Sequence, residues 1–390
     1  MIRKVCVFTG SRAEYGLLQP LMKGLKEDNA IQLQLLVSGM HLSPEFGLTY
    51  EQINADGYEI DEKVEMLLSA DTDTAIIKSA GLGMIGYADA FARLMPDMVV
   101  ILGDRFEAFA AATSAYLMKI PIAHLHGGEL TEGASDDALR HAITKMSYYH
   151  FTSTEIYRQR VIQLGESPSR VFNIGAIGLD NIRNLKLLSL AELESSLGIK
   201  LSERVFLVTY HPVTLENYTA AGQMEHLLGA LNQFPEYQVI FTLPNADADG
   251  RIISSMIREY ASETSDRISV FTSLGQLRYL SLIQFVTAVV GNSSSGIIEV
   301  PSMGKPTLNI GDRQAGRIRA KTVTDCEGDL VSIANALRKI TDPVHLEWCQ
   351  EQPNPYGNGT AADQILSIIR SLKKPESIKK KFYDLNTSND

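Results

Sequence analysis

The chain has few of the residues that staple or ligate. Among its 390 residues are three cysteines, Cys6, Cys326 and Cys349, set far apart. No CxxC and no Cys/His cluster occurs, so the sequence gives neither a zinc motif nor a disulfide framework. Long apolar runs are also missing. The longest, Ala108 to Met118, lies between Glu107 and Lys119 and falls short of the roughly 18 residues of a membrane span. The opening MIRKVCVFTGSRAEYG lacks the continuous apolar core, ~7 residues or more, of a secretory signal. Positive charge is scarce: 36 Lys and Arg face 46 Asp and Glu, for a net charge of -10. That argues against a nucleic acid or an anionic membrane as the main partner. A phosphorylated small ligand stays compatible, because a pocket needs only local donors. No low-complexity segment, short-period repeat or Ser/His/Asp or Cys/His nucleophile set stands out. A cytoplasmic enzyme is the expectation.

What is present is a rhythm of strand, turn and helix. The chain is too long for one core, since single cores stop growing at roughly 250–300 residues. KVCVFTG, IQLQLLVSG, MVVILGD, IAHLHGG and RVFNIGA read as buried strands of a first block. The texture loosens after Leu179, then restarts with RVFLVTYHP, YQVIFTLPN, RISVFTS, FVTAVVGNS and PTLNIGD. Continuous apolar strands between helices predict α/β architecture with parallel sheets covered on both faces. Two blocks predict two Rossmann-type domains facing across a cleft, residues 1–180 and 181–365. Residues 366–390 would form a helix and tail packing back on the first domain.

Ligands of open parallel sheets bind beyond the carboxyl ends of the strands, so the strand-end motifs are the candidates. GNSSSGIIE (Gly291 to Glu299) follows a strand and opens a helix. Its serines and free N–H groups suit a phosphate, Glu299 suits a ribose diol, and an ordinary capped helix start is the plain alternative. TGSRAEYG places Arg12 as a bidentate donor, or is a simple strand-to-helix turn. GDRFE sets Asp104 at a strand tip, where an N-cap with Glu107 completing a capping box competes with a catalytic role. HLHGGELTEGASDDALRHAITK, 22 residues from His124, crowds histidines, carboxylates and glycines together. His124 and His126 alternate and so share a sheet face. Their spacing fits no metal motif, and a wall or core role is the commoner explanation. Glu129 follows a tight Gly-Gly exit, while Asp136 with Arg140 and Asp137 with His141 form i,i+4 pairs. TYHPVT aims His211 from the second block, and NIGDRQAGR offers Arg313 and Arg317 to a phosphate or to solvent. GLGMIG (Gly81 to Gly86) spells GxGxxG, but it lies in a helical stretch and predicts close helix packing rather than a dinucleotide site.

Diphosphate-type donors in one block and carboxylates in the other fit a nucleotide-sugar enzyme with acid/base chemistry on a sugar ring. The motifs TGSRAEYG, SGMH, GDRFE, HLHGGE, DDALRHAITK, GNSSSGIIEVPS and NIGDRQAGR together resemble the UDP-N-acetylglucosamine 2-epimerases. The likeness is to the hydrolysing branch, which supplies N-acetylmannosamine for sialic acid. The resemblance implies a GT-B-like fold, a homo-oligomer (dimer or tetramer), UDP-sugar as substrate, and no cofactor, metal or nicotinamide. It implies Asp104, Glu129 and Asp136 as acid/base carboxylates, with His211 assisting near the diphosphate. Arg12, Glu107, Arg140, Ser294, Ser295, Gly296, Glu299 and Arg313 make up the substrate-contact set. Non-hydrolysing relatives carry a glutamate where this chain has His126, so Glu129 takes that place. Which of Asp136 and Asp137 faces the sugar is open. The rivals are the same chemistry on a UDP-2,4-diacetamido-2,4,6-trideoxy sugar, a GT-B glycosyltransferase, and a non-catalytic UDP-sugar sensor.

Overall fold

A computed structural model describes residues 2–68, 72–130, 136–212, 220–244, 248–263 and 266–385. The chain divides into two compact units. The first comprises Met1–Leu130, Ala134–Asn181 and Tyr356–Asp390; the second is built on Ile182–Pro355. The strands of the first are β1 (Arg3–Thr9), β2 (Ile31–Ser38), β3 (Glu62–Val64), β4 (Met98–Leu102), β5 (Ile122–Leu125), β6 (Tyr149–Thr152) and β7 (Val171–Asn173). Those of the second are β8 (Val205–Thr209), β9 (Gln238–Thr242), β10 (Ile268–Phe271), β11 (Ala288–Gly291), β12 (Thr307–Ile310) and β13 (Val323–Cys326). Every pairing is parallel. The sheets run β3-β2-β1-β4-β5-β6-β7 and β10-β9-β8-β11-β12-β13.

Burial on both faces explains the continuous apolar strands. In β1, Val5 and Val7 enter one core while Cys6 and Phe8 enter another. In β8, Phe206 and Val208 face one way and Val205 and Leu207 the other. Each sheet reverses its strand order beside its first strand, between β1 and β4 and between β8 and β11. At such a switch point adjoining loops part and leave a crevice. The rejected GLGMIG motif lies inside helix Asp73–Leu94, where a Cβ at Gly86 would meet Val64 at 2.5 Å and one at Gly83 would meet Met66 at 2.9 Å. Close packing on β3 and the segment after it accounts for these glycines. No helix among the described residues is long and apolar enough to cross a membrane.

The sequence places a boundary at 365/366, but helix Ala361–Ser371 runs through that point and belongs whole to the first unit. Its buried Ala361, Ala362, Ile365 and Ile369 join the core that holds Leu18, Leu21 and Leu25. Its N-cap residue Thr360 makes no side-chain cap bond. Asp180 supplies the cap instead: its carboxylate accepts the N–H groups of Ala361 at 3.0 Å and Ala362 at 2.8 Å. Charged acceptors on helix-start N–H groups are among the stronger hydrogen bonds. Asp180→Ala is expected to cost about 3 kcal/mol, the order expected when a buried charged cap is lost. Urea denaturation of the full chain measures it.

Candidate active site

In the first unit the site grows from the loops after β1, β4 and β5. Ser11 caps helix Arg12–Glu27 by accepting the Glu14 N–H at 3.4 Å. Glu14 turns back to accept the Gly10 N–H at 2.7 Å. This carboxyl is buried, and burial raises its pKa to about 7 against the help of Gly10, with Glu107 adding repulsion. Arg12 stands exposed at the helix start. His41, after β2, is buried between Thr9 at 3.0 Å and Thr49 at 2.7 Å, and burial lowers its pKa to about 4.

The Asp104 cap expected from sequence does not form. Arg105 is the N-cap of helix Phe106–Leu117 and makes no side-chain cap bond. Glu107 is wholly buried and takes both arms of Arg105, at 2.9 and 3.2 Å, instead of closing a capping box. Asp104 is thereby released to accept from Arg140, a cation from helix Asp136–Met146 that is only 4 % exposed. Arg140 also donates to the Glu129 carbonyl at 2.7 Å and to Asp137 at 3.1 Å. One guanidinium therefore gathers the ends of β4 and β5 and the following helix. Arg140 pairs with Asp137, which also lies 3.5 Å from His141, as the i,i+4 spacing predicts. The Asp136 side chain and residues 131–135 lie outside the described residues.

The two histidines do not share a sheet face. Strand β5 ends at Leu125, and His126 adopts φ 64°, which breaks the alternation. His124 is buried with Nε2 2.8 Å from the Gly103 carbonyl. A carbonyl only accepts, so Nε2 carries the proton and holds the turn that bears Asp104. Burial pushes the His124 pKa down to about 3, so the ring is neutral. His126 Nε2 accepts the Ile177 N–H at 3.2 Å, which leaves the proton on Nδ1, directed at Glu129 Oε1 3.1 Å away. Ser153, at the end of β6, donates to the same oxygen at 2.6 Å. Glu129 is only 6 % exposed. Ser153 escaped the sequence reading because YYHFTS has no apolar run to mark its strand.

In the second unit, an added Cβ at Gly291 would sit 1.9 Å from the Thr209 carbonyl, so only glycine fits. The next residue, Asn292, escaped notice inside a motif read for its serines. It accepts the His211 N–H at 2.7 Å and donates to the His211 carbonyl at 2.8 Å, tying the loop after β8 to the turn after β11. Arg313 and Gln314 donate to the Asn292 carbonyl at 3.1 and 2.9 Å, so Arg313, though exposed, is tied to the turn after β11. Partial desolvation of its guanidinium lowers its pKa, and neighbouring Arg317 adds repulsion. Ser293 caps the five-residue helix Ser294–Ile298, which carries Ser294, Ser295 and Gly296. A Cβ at Gly296 would lie 2.7 Å from Thr307, so close packing on β12 accounts for this glycine. Burial raises the pKa of Glu299, with Arg317 pulling the other way. TYHPVT is described only as far as Pro212. Among the described residues no group of three or more His, Cys, Asp or Glu could hold a metal ion.

Two doubly wound parallel sheets with polar loops at both switch points define a GT-B-like α/β enzyme fold. The chain belongs to the UDP-N-acetylglucosamine 2-epimerase family of enzymes, which it matches over residues 23–370. It is 44% identical over 325 residues to a GDP/UDP-N,N'-diacetylbacillosamine 2-epimerase (hydrolyzing) of Campylobacter jejuni, covering 83% of this chain and 84% of that one. It is 38% identical to the polysialic acid biosynthesis protein P7 of Escherichia coli, over 98% of both. In fold it is similar to a UDP-GlcNAc 2-epimerase from Neisseria meningitidis solved bound to UDP-GlcNAc. The TM-score is 0.80 at 19% identity, covering 95% of this chain and 100% of that one.

Glu14 yields a pH prediction. Its folded pKa lies above the ordinary 4.5. Its contribution to stability is therefore full below the ordinary value and is lost as pH rises towards 7. Glu14→Gln, which keeps an acceptor for Gly10, should stabilise the chain at pH 8 by up to about 3 kcal/mol and much less at pH 5. Urea midpoints at the two pH values check the sign.

Proposed function

We propose that this chain is a hydrolysing 2-epimerase of a UDP-linked 2-acetamido sugar. The observation that carries the reading is the gathering of Asp104, Glu129 and the start of helix Asp136–Met146 around buried Arg140. The C2 proton leaves to a carboxylate as the C1–O bond to UDP breaks, giving a 2-acetamidoglucal by anti elimination. Water then adds at C1 while a second carboxylate returns a proton to the opposite face of C2. The UDP-sugar and one water become UDP and the free 2-epimeric sugar: the second carboxyl starts protonated and is reset by the proton the water loses, and the first releases the C2 proton to solvent. Developing positive charge at C1 is stabilised by nearby carboxylates.

Glu129 is an acid/base carboxylate in this scheme, held by Ser153 and His126. Asp104 is a second, oriented by Arg140. Asp136, at the start of helix Asp136–Met146, completes the set. His211, its backbone fixed by Asn292, assists beside the diphosphate. Arg12, Ser294, Ser295, Gly296, Glu299 and Arg313 bind UDP, Arg140 orients Asp104, and Glu107 holds Arg105 towards the substrate.

The first substrate reading is UDP-N-acetylglucosamine, yielding N-acetylmannosamine, which the polysialic acid relative supports. The 44% identical relative supports a second, the UDP-2,4-diacetamido-2,4,6-trideoxy sugar. Proton NMR in D2O with each UDP-sugar decides between them. UDP and a free 2-epimeric sugar carrying deuterium at C2 are expected from the true substrate. UDP-N-acetylmannosamine would mean the non-hydrolysing reaction, and no change with either sugar would refute the proposal. Asp104→Asn, Glu129→Gln and Asp136→Asn should each lower kcat by about 10²–10⁴-fold; near-normal kcat removes that residue from the scheme.

The reading includes a cytoplasmic homo-oligomer. Helices Asp73–Leu94 and Phe106–Leu117 pack together and expose Ile77, Ile85 and Leu117 by 71%, 68% and 67%. An apolar face of this kind suits self-association. Ile85→Glu with Leu117→Glu should reduce the mass measured by sedimentation equilibrium to that of one chain.

A further inference from the structure

The first unit contains a second buried ionic cluster, and the scheme above leaves it unused. Glu166 is 1 % exposed. Its carboxylate accepts from Lys145 at 2.7 Å, from His150 at 3.1 Å and from Lys380 at 2.8 Å on both oxygens. Lys380 belongs to the tail beyond helix Ala361–Ser371, past residue 370 where the family match ends. The tail is fastened along its length. Lys374 pairs with Asp97, the Tyr383 N–H donates to the Gly165 carbonyl at 2.9 Å, and the Phe382 ring lies where a Cβ at Gly165 would be, 2.2 Å away.

The Lys380 ammonium does more than pair with Glu166. It donates to the carbonyls of Lys145 at 2.8 Å and Ser147 at 2.6 Å, which lie at the end of helix Asp136–Met146. Terminal carbonyls have no partner within their own helix, and the macrodipole there favours a cation. The other end of the same helix carries Asp136, Asp137 and Arg140. A residue 235 positions away therefore caps the helix from which the carboxylate cluster is built.

We propose that the C-terminal tail is a strap, and that Lys380 and Glu166 are positioning residues that hold this helix in register for the reaction. The proposal rests on the functional reading above. Lys380→Ala is the informative change, because Glu166 keeps Lys145 and His150 as partners and no carboxylate is left buried alone. Glu166→Gln is less clean, since it leaves two ammonium groups facing each other.

In full-length Lys380→Ala, kcat for the UDP-sugar should fall by about ten- to a hundredfold, the scale set by small misplacements of reacting groups. KM should stay within about twofold if ground-state binding is untouched. Lys380→Arg should recover most of the loss. Amide hydrogen exchange in the helix should quicken while global unfolding stays cooperative. Unchanged kcat, unchanged exchange, or kcat and KM lost together with global unfolding would each overturn the strap. An inactive wild type would instead refute the functional reading, and the exchange measurement would still decide whether Lys380 holds the helix.

Discussion

Both sheets are buried on both faces, and the rest of the molecule follows from that constraint. Strand interiors must be apolar all round, as Val5 to Phe8 and Val205 to Val208 are. Polar chemistry is then confined to the strand ends, and the switch points between β1 and β4 and between β8 and β11 leave room for it. The glycines there answer to this crowding. Gly291 has no space for a Cβ beside Thr209, and Gly39 would press on the Gly10 carbonyl at 2.9 Å. A loop forced so close to its neighbours can hold side chains in fixed positions.

The buried carboxylates Glu107 and Glu166 and the buried Arg140 each have a partner of opposite charge. Arg140 answers Asp104 and Asp137, Arg105 answers Glu107, and Lys145 and Lys380 answer Glu166. Removing one partner of a buried pair costs far more than the pair contributes. Glu129 accepts from the Ser153 hydroxyl and lies 3.1 Å from the His126 ring. Its orientation comes from the Ser153 hydroxyl and from His126, whose left-handed backbone turns the ring out of the strand's alternation.

Much of this was legible in the residues. The continuous apolar strands announced two parallel blocks, and the polar strand ends fall in the loops at both switch points. Three strands escaped: β3 is three residues long, β6 carries YHFT, and β13 carries VTDC at a sheet edge. None has the apolar run by which a buried strand is recognised. The local readings that failed share one cause. A capping box at Asp104 and a shared face for His124 and His126 are sound short-range expectations, but tertiary contacts decide: Arg140 takes Asp104, and Ile177 and Glu129 hold the His126 ring. A separation of 36 positions between Asp104 and Arg140 hides that contact from short sequence windows.

The same reasoning bears on helix Asp136–Met146. Eleven residues make a helix too short to persist alone, since isolated helices below about 12–15 residues are marginal in water. Its stability must come from tertiary contacts: buried Ile143 packs into the core, and ionic contacts fasten both ends. Arg140 fastens the first turns to the loops after β4 and β5. Lys145 and Lys380 fasten the last turn to Glu166. A helix held at only one end would pivot, and a pivot moves the far end most. The end that carries the carboxylates lies about 15 Å of helix rise from the Lys380 cap. A small rotation there displaces a carboxylate by a distance comparable with a hydrogen bond's tolerance. The two cationic clusters, remote in sequence and at opposite ends of one short helix, therefore form a single mechanical support.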